Sequence, residues 1–428
     1  MVKGYLKYLN LDYKPTKNDL VCLFRFKPRK GKSKKEVAGA IASESSTGTW
    51  TDLSTISEKR QLKLGAKVFE IKGNYAKIAY PSELFEPGNM AQILSSIAGN
   101  IYGMSELETL RLEDIQWPKK IINSFKGPKF GINGVRKIVG VKKRPLAGTI
   151  VKPKLGLNEK EHAKVAYEAW MGGLDIVKDD ENLTSKSFNE FKKRARETIK
   201  LKNKAEKETG EKKIYMANVT AETNEMIKRA EYLKELGNEY LMVDVLTVGW
   251  SALQTLRNEN ERLKLVLHGH RAMHAALTRN KEHGMSMLAI AQCSRLVGMD
   301  QLHIGTAVGK MEGEKKEIRT ILDNIEKQRV PETKKTFSQN WGKMKPVFSV
   351  CSGGLHPGHI PALMKFFGND IIIQAGGGAH GHPDGTRVGS VAVRQAIDAV
   401  MKNQSLKEYA KTHPELKKAI DKWGVYGE

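Results

Sequence analysis

The sequence Lys178-Asp179-Asp180-Glu181 sets a cluster of charge against an apolar, β-branched run, Leu174, Ile176 and Val177. A buried strand running straight into one lysine and three acids calls for a chemical reason. On a strand, alternate residues share a face, so Lys178 and Asp180 point the same way. Glu181 lies just past the strand end, where the pleat relaxes and it can turn toward them. Two carboxylates with no nearby cysteine and no third histidine at metal spacing suit a hard cation such as Mg2+, held by oxygen ligands and waters. An ammonium beside them would repel that cation. Either Lys178 pairs with the acids or it is chemically converted to an anion, and both readings stand at this level.

Other apolar runs end in the same manner. One closes on Lys152 and Lys154, another on His268, His270, Arg271 and His274, another on His303 and Thr306. The last two end in Ser352-Gly353-Gly354 and Gly376-Gly377-Gly378. Burying such charge costs on the order of several kcal/mol per ion unless it is paired or binds a ligand. A salt-bridge network explains one such end; six together point to an active site. The glycine runs let backbone N–H groups approach a phosphate closely. Gly376 to Gly381 also fits G-x-G-x-x-G, but only one helix and a charged tail follow, not the strand and acidic residue of a dinucleotide site. His270 and His274 are four apart, as zinc ligands on a helix would be, yet no H-E-x-x-H pattern contains them; a general-acid or phosphate-holding role fits better. "AVGKMEGEKK" carries two glycines around Lys310, and reads either as a hinged lid or as an ordinary charged loop.

These residues need elements to position them. From about residue 146 onward, short β-branched runs alternate with amphipathic stretches such as "TNEMIKRAEYLKELG", where Ile227, Ala230, Leu233 and Leu236 recur at helical spacing. Eight runs, ending near Lys152, Lys178, Asn218, Asp244, His268, His303, Ser352 and Gly376, predict a (β/α)8 TIM barrel, with a doubly wound open sheet as the alternative. Catalytic groups would then gather at the C-terminal ends of the strands. The first part reads differently. Strand patterns at "DLVCLFRFKP", "AKVFEIKGNYAKIAYP" and "LETLRLEDIQWP" interleave with helical stretches and predict a separate α+β domain of ferredoxin-like type. The expected division is residues 1–127 and 128–428.

Composition narrows the function classes. No apolar run approaches the roughly 20 residues that span a bilayer, and the N-terminus has no secretory h-region. Three scattered cysteines, Cys22, Cys293 and Cys351, read as reduced thiols, which makes the cytoplasm the expected location. The net charge of +24 raises the question of a nucleic-acid partner. Its densest cluster, Arg25 to Lys35, has no zinc-finger, RNA-recognition or helix-turn-helix pattern beside it and reads as a solvated loop.

Taken together, "GTIVKPKLGL", "GGLDIVKDDEN", "HGHRAMHA", "HIGTAVGKMEGE", "SGGLH" and "QAGGGAHGHP", with "ESSTGTW" and "IAGNIYG" earlier, resemble the large subunit of ribulose-1,5-bisphosphate carboxylase/oxygenase (Rubisco). The match runs in order from about Tyr8 to Gly389 and is closer to archaeal form III or II/III than to the plant type. Ile150 stands where plant-type enzymes carry a substrate-touching threonine. The resemblance implies an α+β domain followed by the barrel, and addition of CO2 to ribulose 1,5-bisphosphate to give two 3-phosphoglycerates, with O2 as the competing substrate. It implies Mg2+ on Asp180, Glu181 and a carbamate formed by activating CO2 on Lys178, that carbamate also acting as base. Lys152, Lys310 and His270 would be catalytic, with Lys154 tuning Lys152. Arg271, His303 and Ser352 would hold one phosphate end. Gly353, Gly354, Gly376 and Gly377, with Thr49 and Trp50, would hold substrate and its other end. Glu44 and Asn100 would come from a partner subunit of a homodimer or larger assembly of dimers. No small subunit is implied, and nucleotide (AMP) salvage is the implied setting. A Rubisco-like enolase or isomerase of a phosphorylated sugar is the alternative; such relatives lose parts of the set kept here.

Overall fold

The structure, a computed structural model, describes residues 2–308 and 315–427. It divides into two compact units. One comprises Met1–Gly127, Met273–Val297 and Lys327–Met344; the other comprises Pro128–Ala272, Gly298–Glu326 and Lys345–Glu428.

In the first unit, four strands, β1 (Leu20–Pro28), β2 (Lys67–Lys72), β3 (Tyr75–Tyr80) and β4 (Leu107–Gln116), form an antiparallel sheet in the order β4-β1-β3-β2. Helices Lys34–Glu44 and Met90–Ile97 alternate with them in the chain, which gives the ferredoxin-like order. The first helix starts where the Ser33 side chain accepts from Glu36 N and Glu36 reaches back to Ser33 N, a reciprocal cap that satisfies two otherwise free N–H groups.

The second unit holds strands β5 (Leu146–Ile150), β6 (Ile176–Lys178), β7 (Ile214–Met216), β8 (Tyr240–Asp244) and β9 (Val266–His270). The chain then adds the two-residue strand β10 (Gly284–Met285) to the first unit, parallel to β4. The barrel strand β11 (Gln301–His303) comes next. A small antiparallel ladder, β12 (Arg329–Val330) with β13 (Gln339–Asn340), again belongs to the first unit. The barrel ends with β14 (Phe348–Ser352) and β15 (Ile371–Gln374). Two groups explain why the later segments join the first unit. Arg111 on β4 donates to the carbonyls of Thr278 and Asn280, and buried Asp114 accepts from Phe337 N and Gln292.

Eight parallel strands run in the order β7-β6-β5-β15-β14-β11-β9-β8. The Asn218–Met242 bridge, with Val219 N on Met242 O at 3.0 Å and Met242 N on Ala217 O at 2.9 Å, joins β7 to β8 and closes the ring. Leu146, Ile176, Ile214, Met242, Val266, Val350 and Ile372 fill the interior, each fully buried side chain contributing roughly 1.5–3 kcal/mol. The expected barrel is therefore present. At Gly172 an added Cβ would lie 2.3 Å from Arg387 O, so glycine lets the end of the helix Glu159–Met171 pack closely against the backbone of the helix Thr386–Met401.

The N-terminal end of the barrel is a structural end. Arg144 grips Asp175 through both guanidinium nitrogens at 2.6 and 2.7 Å, and Asp300 accepts three backbone N–H groups. A cavity of about 730 Å³ beside Arg144 and Asp175 lies at this end, away from the polar strand ends. No helix among the described residues is long and apolar enough to cross a membrane.

Candidate active site

The C-terminal strand ends bring most of the expected side chains together. Lys178, the last residue of β6, is fully buried; its Nζ donates to Asp179 O at 2.7 Å and approaches Met242 Sδ at 3.3 Å. Burial pulls its pKa down, while Glu181, Asp180, Asp244 and Asp179 work in the opposite direction. Asp180 accepts from Lys152 Nζ at 2.8 Å and from Asn182 N at 3.1 Å. Burial opposes its charge, but these partners still hold it below the usual carboxylate range. Glu181 Oε2 lies 3.7 Å from His270 Nε2, whose other nitrogen is 3.1 Å from Asp244 on β8. Lys154 is exposed and donates to Asn182 Oδ1.

The third acid of the opening motif does something else. Asp179 points away from Lys178 and Asp180, as the strand period requires, into a closed set of donors. Arg194 Nε and Asn218 N reach its Oδ2 at 3.1 and 3.0 Å; Tyr215 OH and His162 Nε2 reach its Oδ1 at 2.8 and 3.0 Å. Although burial raises its pKa, these partners more than offset that and hold it far below the ordinary range. It anchors the segment that carries Asp180 and Glu181.

A second group stands on β9, β11 and β14. His303 lies 2.9 Å from His268 through their Nε2 atoms, and its Nδ1 is 2.8 Å from the Ser352 hydroxyl. His268 Nδ1 is 2.8 Å from Gln301 Oε1. Burial lowers the His268 pKa to about 3 and takes His303 well below its ordinary value, so both rings are neutral. Arg271 is half-buried, and among the described residues its guanidinium makes no hydrogen bond or ion pair. Burial lowers its pKa to about 10. Gly305, at φ +103°, makes room for it, since an added Cβ would meet Arg271 Nη2 at 3.3 Å. A half-buried cation with no partner among the described residues suits an anion.

Gly353 (φ +121°) and Gly354 (φ +69°) follow β14 in conformations that favour glycine. Gly376 and Gly377 open the short helix after β15, where a Cβ on Gly376 would meet Lys152 Cε at 3.5 Å. His380, in the same helix, bonds Thr149 Oγ1 on β5. His274 falls in the first unit, on Thr278 of its own helix. Glu44, Thr49, Trp50 and Asn100 are also in that unit. Glu44 accepts from Tyr5 OH, Thr49 and Trp50 line a cavity of about 220 Å³, and Trp50 is 68% exposed. Lys310 and its proposed lid lie outside the described residues. Sequence reading passed over Asp244 and Gln301 as site residues; Asp244 closes a strand as the others do, a signal that could have found it.

Two family models match the chain: "Ribulose bisphosphate carboxylase large chain, N-terminal domain" over residues 7–121, and "Ribulose bisphosphate carboxylase large chain, catalytic domain" over 131–423. The ribulose bisphosphate carboxylase of Methanosarcina mazei is 51% identical, covering 97% of this chain and 98% of its own length. That of Methanocaldococcus jannaschii is 50% identical, at 98% and 100%. Among solved structures, dimeric archaeal Rubisco from Hyperthermus butylicus superposes with a TM-score of 0.93 at 45% identity, covering 98% of this chain and 99% of its own. Octameric Rubisco from Pyrococcus horikoshii gives 0.91 at 47%, covering 100% and 99%. Both family domains match in order and over most of the chain, alongside the polar strand ends described above, and the chain belongs to the ribulose bisphosphate carboxylase large chain family.

Proposed function

We propose that the chain catalyses Mg2+-dependent carboxylation of ribulose 1,5-bisphosphate to two 3-phosphoglycerates, with an oxygenase side reaction. The observation that carries this reading is Lys178: a fully buried amine, beside two carboxylates, whose burial favours the neutral form. A neutral amine can attack CO2, releasing a proton and becoming an anionic carbamate. Asp180 and Glu181 would supply carboxylate oxygens, and the carbamate a third oxygen ligand, a set that fits Mg2+. When bound, Mg2+ supplies Lewis-acid stabilisation of negative charge on substrate oxygens.

The chain's own residues then divide the work. Lys178, once carbamylated, would take the C3 proton. Lys152, set beside Asp180, returns a proton to the carbanion left after C–C cleavage, and Lys154 tunes it. His270, oriented by Asp244, assists at the C3 hydrate, and Lys310 stabilises the incoming carboxylate. Arg271, His303 and Ser352 hold one phosphate. Gly353, Gly354, Gly376 and Gly377, with Thr49 and Trp50, hold substrate and the other. Glu44 and Asn100 act from a partner subunit, in a homodimer or an assembly of dimers without a small subunit, in the cytoplasm. The test is incubation with ribulose bisphosphate, Mg2+ and labelled bicarbonate. Labelled 3-phosphoglycerate is expected, and its absence from folded protein preincubated with CO2 and Mg2+ would overturn the reading.

A further inference from the structure

We propose that Gln301 is a positioning residue that, through His268 and His303, sets which way the Ser352 hydroxyl points its proton, and that an anion at Ser352 selects the outward direction. The proposal rests on the reading of Ser352 as a phosphate-holding residue. Four groups form one unbranched line: Gln301 Oε1 to His268 Nδ1 at 2.8 Å, His268 Nε2 to His303 Nε2 at 2.9 Å, and His303 Nδ1 to Ser352 Oγ at 2.8 Å. A neutral imidazole donates from one nitrogen and accepts at the other, so fixing the proton on one ring fixes every other member.

With Gln301 as it stands, its carbonyl accepts from His268 Nδ1–H, His268 Nε2 accepts from His303 Nε2–H, and His303 Nδ1 accepts from Ser352 O–H. The serine proton then points inward, away from a ligand. Turning the Gln301 amide reverses every bond. Its Nε2 donates to His268, His268 donates to His303, and His303 donates to Ser352, whose proton is free for an anion's oxygen. Both orders hold the same number of protons, so the change is one of tautomers with no net uptake.

A further observation makes Gln301 the switchable end. Its Nε2 is buried and has no hydrogen-bond partner among the described residues, so the amide gives up one group in either orientation and favours neither strongly. The rings themselves are held. The His303 ring packs edge-on against His268 and His270, with centroids 4.9 and 4.6 Å away, which leaves tautomer exchange as the available adjustment. The other charged or titratable groups facing the two rings are Lys178 from β6 and His270 and Arg271 from β9 and its following loop.

The direct test is 15N NMR of [15N]histidine-labelled protein, titrated with inorganic phosphate. His303 should change from the Nε2–H to the Nδ1–H tautomer as phosphate binds. An unchanged tautomer at saturating phosphate would overturn the proposal, whether or not the protein carboxylates ribulose bisphosphate. A second test converts the order into a pH response. In Gln301→Glu, a proton shared by the introduced carboxylate and His268 places a hydrogen on His268 Nε2 and so favours the outward order; its loss favours the inward one. KM for ribulose bisphosphate should therefore rise about tenfold with pH across that ionisation, the loss of one charge-assisted hydrogen bond. The wild type lacks this step, and so should Gln301→Glu in a Ser352→Ala background. The same step persisting without Ser352 would make Gln301 a structural residue and sink the proposal.

Discussion

Replacing Asp179 with asparagine tests whether the acid facing away from the site supports the two facing into it. The substitution keeps size and shape but removes the charge opposite Arg194, which is completely buried. Arg194 keeps Asn189 Oδ1 and the carbonyls of Asn189 and Thr184, all neutral acceptors. The amide can still present its oxygen to Arg194 Nε and Asn218 N, with its NH2 toward Tyr215 OH and His162, both of which can switch to accepting. Most of the loss is therefore the missing charge, and breaking a buried pair from one side costs about 3–5 kcal/mol. Since Asp179 holds the backbone between Lys178 and Asp180, the Mg2+ needed for half-maximal activity should rise roughly 10–100-fold, as for other outer supports of metal ligands. Urea unfolding at pH 7 and activity against Mg2+ concentration measure the two effects. The carboxylate's folded pKa is depressed, so its stabilisation is complete above the unfolded value near 3.9 and fades as pH falls through the folded value. The gap between wild type and Asp179→Asn should accordingly be constant near neutrality and close in strong acid. An Asp179→Asn protein within about 0.5 kcal/mol of wild type, with an unchanged Mg2+ requirement, would refute the reasoning.

Glu326 gives the opposite pH sign. Burial raises its pKa to about 8 despite a hydrogen bond from Ser349, so its contribution is complete below the unfolded value near 4.3 and is lost as pH rises through 8. Glu326→Gln should therefore match wild type in thermal melts near pH 4 and exceed it by a few kcal/mol at pH 8; a constant difference would contradict this. Lys178→Ala should fold and be inactive, and wild-type activity should depend on preincubation with CO2 and Mg2+; normal turnover by Lys178→Ala would remove the lysine from the mechanism. Co-expression of Glu44→Ala with Lys178→Ala should recover roughly a quarter of wild-type activity, because half the randomly mixed dimers are hybrid and half their sites intact. No recovery from proven hybrids would mean that each subunit builds its own site.

The barrel was legible because its strands repeat one grammar, an apolar run ending in polar residues, eight times over. The first sheet was legible from longer strands with helical stretches between them. What escaped was short or distant. Strand β10 has two residues and no readable period, so nothing in Met273–Val297 announced that it packs with the first unit. Arg194 sits in a lysine-rich helix that reads as a solvated face, and only the fold turns it inward onto Asp179. Gln301 has no chemical signature until His268 and His303 stand in line with it.

The motif Lys178-Asp179-Asp180-Glu181 also explains why one strand end carries so much charge. The two-residue period sends Lys178 and Asp180 to one side and Asp179 to the other, so a single stretch faces both the chemistry and the scaffold. Bound to Arg194, Tyr215, His162 and the Asn218 backbone, Asp179 restrains the backbone on either side of it. Asp180 and Glu181 need that restraint, because two like charges next to a buried amine would otherwise relax toward solvent. The acid that faces the scaffold thus restrains the backbone that carries the two acids facing the proposed site.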